Sequence, residues 1–213
     1  MPPHALSELA GGSSLVDRRT WARLMDSVDA STAAKLFLAF ERAWWRDAGF
    51  RGVRLVSDGP LSKTYAFDFG APPEEPATSP ALLLASYSDG PVRDEWVELR
   101  DALEGTDAGD LAAVGRWDSY PASEAQIARA REALGGLFPD YAVPAPIGAA
   151  FKDWQVSAWH TWNAGARSGA VADLAARPAD GLALHLANEA WSISQGWVEG
   201  ALEAAHAAVD RMA

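Results

Sequence analysis

The chain contains no cysteine in 213 residues. That excludes disulfides, thiolate metal sites and cysteine nucleophiles, and it fits a reducing compartment, so a cytoplasmic location is expected. Histidine is scarce as well, with four residues scattered along the sequence and none at metal-ligand spacing, so no metal centre is expected. No apolar run reaches the roughly 18 residues that a membrane-spanning helix needs. The opening MPPHALSELAGG lacks the basic and apolar regions of an export signal. Walker loops, HExxH and GxSxG are all missing. Positive charge is also in short supply. The 18 Lys and Arg face 29 Asp and Glu, for a formal charge of −11, and no basic stripe is visible, so a nucleic-acid partner is not expected.

What is abundant is apolar and aromatic. Hydrophobic residues make up 49% of the chain, enough for one sizeable core or for two lobes. Ten tryptophans are a large excess, and tryptophan suits walls around flat ligands and interfaces. Residues 1–14 read as a loose polar start. A short helix is expected over 15–25, a strand over 34–40 (AKLFLAF), a turn or short helix over 43–51 and a second extended stretch over 53–57. SKTYAFD at 62–68 alternates as a strand does. Residues 71–80 hold four prolines and two glutamates and read as an exposed loop. ALLLASY at 81–87 is a buried-strand signal. Helical periodicity follows over 91–103 and 122–137, the latter opened by Ser123-Glu124. Residues 151–162 are aromatic-rich and extended, 181–187 read as a short strand, and 197–212 as a helix with Val198, Ala201, Leu202, Ala205, Val209 and Met212 on one face. This order predicts an α+β fold, a mixed sheet flanked by helices.

Three motifs carry chemistry. The first is LHLANEAWSISQGWVEGAL at 184–202, read as strand, carboxylate-bearing turn, Gly-Trp pair and Ala-rich helix. A helix N-terminus offers unpaired N–H groups and a partial positive charge, suited to a developing anion. The second is Trp159-His160-Thr161-Trp162. The third is Lys35 within AKLFLAF, ten residues before Trp45. A lysine inside an apolar strand is costly unless its ammonium has a partner. For each there is a plainer reading: Glu189 as a cap, the tryptophans as core or interface, His160 as a hydrogen-bonded structural residue, Lys35 as an edge-strand residue.

Taken together in order, these segments resemble the C-terminal part of the FAD-dependent amine oxidase, L-amino-acid oxidase and tryptophan 2-monooxygenase superfamily. The resemblance runs from about Ala34 to the C-terminus. It implies that the Val198 N–H faces the flavin pyrimidine edge and that Trp197 stands beside the ring. It also implies cofactor contacts from Glu189, Ala190 and Gly196, with Glu189 reaching the ribityl and pyrophosphate region. Trp159 and then Trp162 are implied as the second aromatic wall, with Tyr65 and Tyr87 as further pocket-lining residues. Lys35 is implied as the residue that holds a water at the flavin N5 during reoxidation. No catalytic role falls to His160. Asn188 stands where many members carry glycine.

The Gly-rich turn of a dinucleotide-binding fold is not found. The one Gly-dense stretch, Gly165-Ala166-Arg167-Ser168-Gly169, comes late and follows no suitable strand. The resemblance then leaves two explanations, a split enzyme or a truncated remnant, and the split enzyme is the preferred expectation. On this expectation residues 1–14 are a flexible start and 15–180 a substrate-binding domain. Residues 181–213 complete the FAD-binding domain of a second subunit that carries GxGxxG. The implied reaction oxidises the C–N bond of an amine or L-amino acid, passes hydride to FAD and releases peroxide from dioxygen. The alternative expectation is a non-catalytic binding or regulatory subunit of the same descent.

Overall fold

A computed structural model describes residues 3–10, 15–51, 54–67, 79–100 and 120–212. Five strands, β1 (Val28–Phe40), β2 (Arg54–Val56), β3 (Lys63–Phe67), β4 (Ala81–Ser88) and β5 (Gly148–Trp162), lie in the order β2-β3-β4-β1-β5. A mixed sheet is the expectation, but the β1–β4, β2–β3 and β3–β4 ladders are all antiparallel. The chain divides into two compact units, residues 33–153 and residues 1–32 with 154–213, and the boundaries fall inside β1 and β5.

In the unit of residues 33–153, β1 shows the two-residue period of a strand. Leu36, Leu38 and Phe40 are buried while Lys35, Phe37 and Ala39 are only partly covered. The buried face meets Leu83, Trp96, Leu134 and Phe151 in one apolar core. A short 3₁₀ turn at Trp44–Arg46 follows β1, and both of its indole rings meet Phe40 edge-on at 6.0 Å. Two helices, α3 (Gly90–Arg100) and α4 (Glu124–Leu137), pack on this core. Ser123 and Gln126 form a capping box that starts α4 at the position the sequence predicts. Gln126 is buried, and its amide donates to the Trp96 carbonyl at 2.7 Å. Arg93 of α3 grips Asp153 through two hydrogen bonds of 2.8 and 2.7 Å.

The other unit contains α1 (Pro3–Ala10), α2 (Arg18–Met25), α5 (Ser168–Ala176), a 3₁₀ turn at Glu189–Trp191 and α6 (Val198–Asp210). Asp17 caps α2 by accepting the N–H groups of Arg19 and Thr20. Leu24, Val171, Ala175, Ala190 and Trp191 form the core, and the Trp191 indole donates to the Leu24 carbonyl at 3.2 Å.

Several expectations need correction. Residues 3–10 form a helix where a loose start is expected. No strand forms over 181–187. That stretch runs beside the end of α5 instead: Leu186 N–H donates to the Ala175 carbonyl and the His185 ring bonds that of Ala176. These bonds cap the helix end and leave no ladder for a strand to join. Helix α5 itself was not expected. Residues 71–78 and 101–103 of the predicted loop and helix lie outside the described residues. Among the described residues, no helix is long and apolar enough to cross a membrane, and no group of three or more His, Cys, Asp or Glu is placed to hold a metal ion.

Candidate functional site

The C-terminal motif folds as a chain of small turns that ends in α6. Asn188 accepts the Ala190 N–H through its side chain, which starts the 3₁₀ turn. The Gln195 amide donates back to the Ala190 carbonyl at 2.6 Å. Gly196 then takes a left-handed conformation (φ +78°) that redirects the backbone into Trp197 and Val198. A Cβ on Gly196 would lie 3.7 Å from the Trp159 Cβ, so this turn sits directly beside Trp159 of β5.

Helix α6 begins at Val198 with no side chain capping its first turn. Trp197 and Val198 are each 71% exposed. Two residues beyond Val198 the packing is the opposite: Gly200 is buried, and any Cβ there would overlap Ser192 Oγ and the Ser194 carbonyl group. The glycine lets α6 approach the 192–194 segment at backbone contact. Glu189 is mostly covered, and both its oxygens are engaged. Oε1 lies 2.5 Å from His160 Nδ1, and Oε2 accepts the Gly196 N–H at 2.8 Å. His160 is 1% exposed. Trp162 is partly buried against the Leu24 and Trp191 core. Behind the 3₁₀ turn, an apolar cleft of about 230 Å³ between α5 and α6 is lined by Ala172, Ala176, Trp191, Ile193 and Ala204. It is smaller than the ~300 Å³ at which ligand pockets begin.

In the unit of residues 33–153, Lys35, Tyr87 and Lys63 form a row across β1, β4 and β3, with Tyr87 opposite both lysines in the register. The Lys35 ammonium stands 4.7 Å from the Tyr87 ring centre and that of Lys63 5.2 Å. Lys63 also faces Asp89 at 3.8 Å. Burial lowers the Lys35 ammonium from its ordinary value, because a half-covered cation loses hydration. Burial first, then Tyr65 and Asp89, push the Tyr87 phenol up. Tyr65 pairs across the ladders with Arg54 and Leu84.

The structure thus brings Trp159, Glu189, Ala190 and Gly196 together, with Trp197 and Val198 next in the chain. It sets Lys35 against Tyr87, and Tyr65 on the adjoining strand. Sequence reasoning reads His160 as a hydrogen-bonded structural residue without naming Glu189 as its partner, and it misses Lys63 and Gly200. A signal for His160 was present, since a lone histidine between two tryptophans of a strand needs a partner when buried.

Comparison with known proteins points to a similar family. The family model described as flavin containing amine oxidoreductase matches residues 1–106. The match covers just under half of the chain, which is therefore similar to this family over a partial region. Aplysianin-A of Aplysia kurodai is a relative, 28% identical over 182 residues, covering 82% of this chain. The chain spans 32% of that relative's length. The family match contains Lys35, Tyr65 and Tyr87 and reaches back to residue 1, ahead of Ala34 where the sequence resemblance begins. It ends before Trp159 and the C-terminal motif. This similarity supports an oxidoreductase-related function and points to a flavin.

The residues fit that group unevenly. An uncapped, solvent-facing helix start at Val198 suits a ring edge that gains negative charge on reduction. Glu189 is already engaged within the chain, since each of its oxygens accepts one bond, which leaves one acceptor site on each for a further hydroxyl.

Proposed function

We propose that this chain contributes the substrate-facing and flavin-facing region of a flavin-dependent amine or L-amino-acid oxidase, and that a second subunit supplies the GxGxxG fold that holds FAD. The observation that carries this reading is the outer face of α6. Val198, Leu202, Val209 and Met212 recur at helical spacing and are all more than half exposed, and Ile193 and Trp197 adjoin them. Gly200 and Ala208 pack inward instead. An apolar helix face of this kind is a contact surface waiting for a cover.

Bound FAD would accept hydride from the carbon of a C–N bond, giving an imine, and pass the electrons to dioxygen to give hydrogen peroxide. Within the unit of residues 1–32 and 154–213, the Val198 N–H would serve the ring edge, and Trp159, Trp162 and Trp197 would wall the substrate; Tyr65, on the other unit, would be a further substrate-contacting residue. Lys35 holds a water for reoxidation. The tryptophan walls favour an aromatic amino acid or a cyclic amine as substrate.

The test is co-purification. The tagged chain is expressed alone and with the product of the neighbouring reading frame, and visible spectra are recorded. A yellow complex containing a GxGxxG chain is the expected result. A colourless, well-folded protein in both cases overturns this reading in favour of a binding or regulatory subunit.

A further inference from the structure

We infer that His160 is a positioning residue that acts through Glu189, and that this pair, rather than a direct Glu189–cofactor contact, sets the geometry of the Gly196–Trp197 turn. Glu189 stands between two groups that come from different parts of the unit. One is the imidazole of β5, with Nδ1 at 2.5 Å from Oε1; the other is the Gly196 backbone N–H, at 2.8 Å from Oε2. A carboxylate only accepts, so Nδ1 must carry the ring proton. Nε2 is buried with no hydrogen-bond partner among the described residues. The imidazole thus has one polar engagement, and that engagement is the carboxylate.

The consequence is directional. His160 is fixed by the strand and is 1% exposed, so it cannot follow a moving Glu189. Glu189 is fixed in turn, and its second oxygen pins the peptide that enters Gly196. Gly196 has the left-handed conformation that any residue can leave but few can adopt. Without the carboxylate, nothing else in the turn holds that N–H. The direction of Trp197 and of the first turn of α6 then depends on a bond chain that starts at His160. Charge-assisted bonds of this kind are the strong class, and they weaken sharply when one member is removed.

The part of this inference that concerns flavin rests on the proposed function, whereas the brace itself does not. Two measurements separate them. In the full chain alone, amide exchange is followed at Gly196 and Trp197 in the wild type, His160→Leu, His160→Asn and Glu189→Ala. Asparagine places an N–H near the position of Nδ1, so it restores the bond to Glu189 without the ring. Exchange at Gly196 is expected to rise roughly tenfold in His160→Leu and Glu189→Ala and to return towards wild type in His160→Asn. The Leu24 amide serves as a control for global unfolding. Unchanged exchange at Gly196 in His160→Leu overturns the brace, as does an equal rise at Leu24.

In the assembled complex, the flavin dissociation constant is read from fluorescence for His160→Leu, Glu189→Ala and the double variant. A brace predicts similar losses in the two single variants and no further loss in the double. A loss confined to Glu189→Ala makes Glu189 a direct ligand and overturns the positioning role. If no complex binds flavin, the proposed function fails, and the exchange data still decide the brace.

Discussion

Lys35 and Tyr87 stand opposite each other on β1 and β4, with the lysine ammonium 4.7 Å from the centre of the tyrosine ring. The ring's negative face attracts the cation, while partial burial strips water from both groups. Burial therefore shifts their titrations in opposite directions: Lys35 falls below 10.5 and Tyr87 rises above 10.0.

These shifts act on stability with opposite signs. Folded Lys35 releases its proton below the unfolded value, so stability rises as pH climbs through the window under 10.5. Folded Tyr87 keeps its proton above the unfolded value, so stability present below 10.0 is lost as pH rises through its folded value. Relative to wild type, Lys35→Met should lose stability as pH rises through the lysine window. Tyr87→Phe, which keeps the ring, should gain above 10.0. Melting temperatures recorded at steps between about pH 8 and pH 12 give both difference slopes. Two slopes of the same sign would show that the pair is not the source.

The same lysine gives a functional prediction. In the assembled complex, Lys35→Met should slow flavin reoxidation by dioxygen on the order of 10²-fold, the scale of one positioned proton-handling group. Reduction of the flavin by substrate should change far less. Stopped-flow traces of the two half-reactions read these steps separately, and equal slowing of both would assign Lys35 to substrate binding instead.

Gly200 should tolerate no side chain. The methyl of Gly200→Ala meets the Ser194 carbonyl group, which is backbone and cannot swing aside, as well as Ser192 Oγ. Overpacking of this kind costs about 1–3 kcal/mol, against roughly 1 kcal/mol that alanine returns in helix propensity. Urea denaturation should show a net loss, and adding Ser192→Ala should not restore it. Full recovery in the double variant would place the clash on the hydroxyl alone.

In the other unit, Arg93→Ala should be costly. Asp153 has a side chain 1% exposed and is gripped by two guanidinium nitrogens, while Arg100 stands at 4.0 Å. Removing one partner of a buried pair costs about 3–5 kcal/mol, because the other charge stays buried. Arg93→Lys should recover only part of it, since an ammonium cannot reproduce the two-pronged grip. Chemical denaturation of the three proteins checks the order.

The strands and the capped helices were legible because their signals are local. Leu36, Leu38 and Phe40 alternate with half-covered residues as AKLFLAF predicts, and Ser123 with Gln126 marks the start of α4. The segment around Leu186 misled because an apolar triplet reads alike whether it joins a ladder or lies along a helix end. Helix α5 was missed because Arg167 leaves its start without a side-chain cap. At the candidate site, Trp159 and Gly196 were named as separate features, and their adjacency is tertiary. The His160–Glu189 bond spans 29 positions, which no spacing rule reaches.

Trp197 also makes the molecule optically addressable. Of the tryptophans described, it is the exposed one at 71%, whereas Trp44, Trp45, Trp96 and Trp191 lie at 4% or below. A dissolved quencher such as iodide reaches its indole ahead of the other described tryptophans. Emission at the red edge therefore reports on one lamp among several, mounted at the start of α6. Whatever settles over that helix end will dim it or shift it towards the blue, with no label attached.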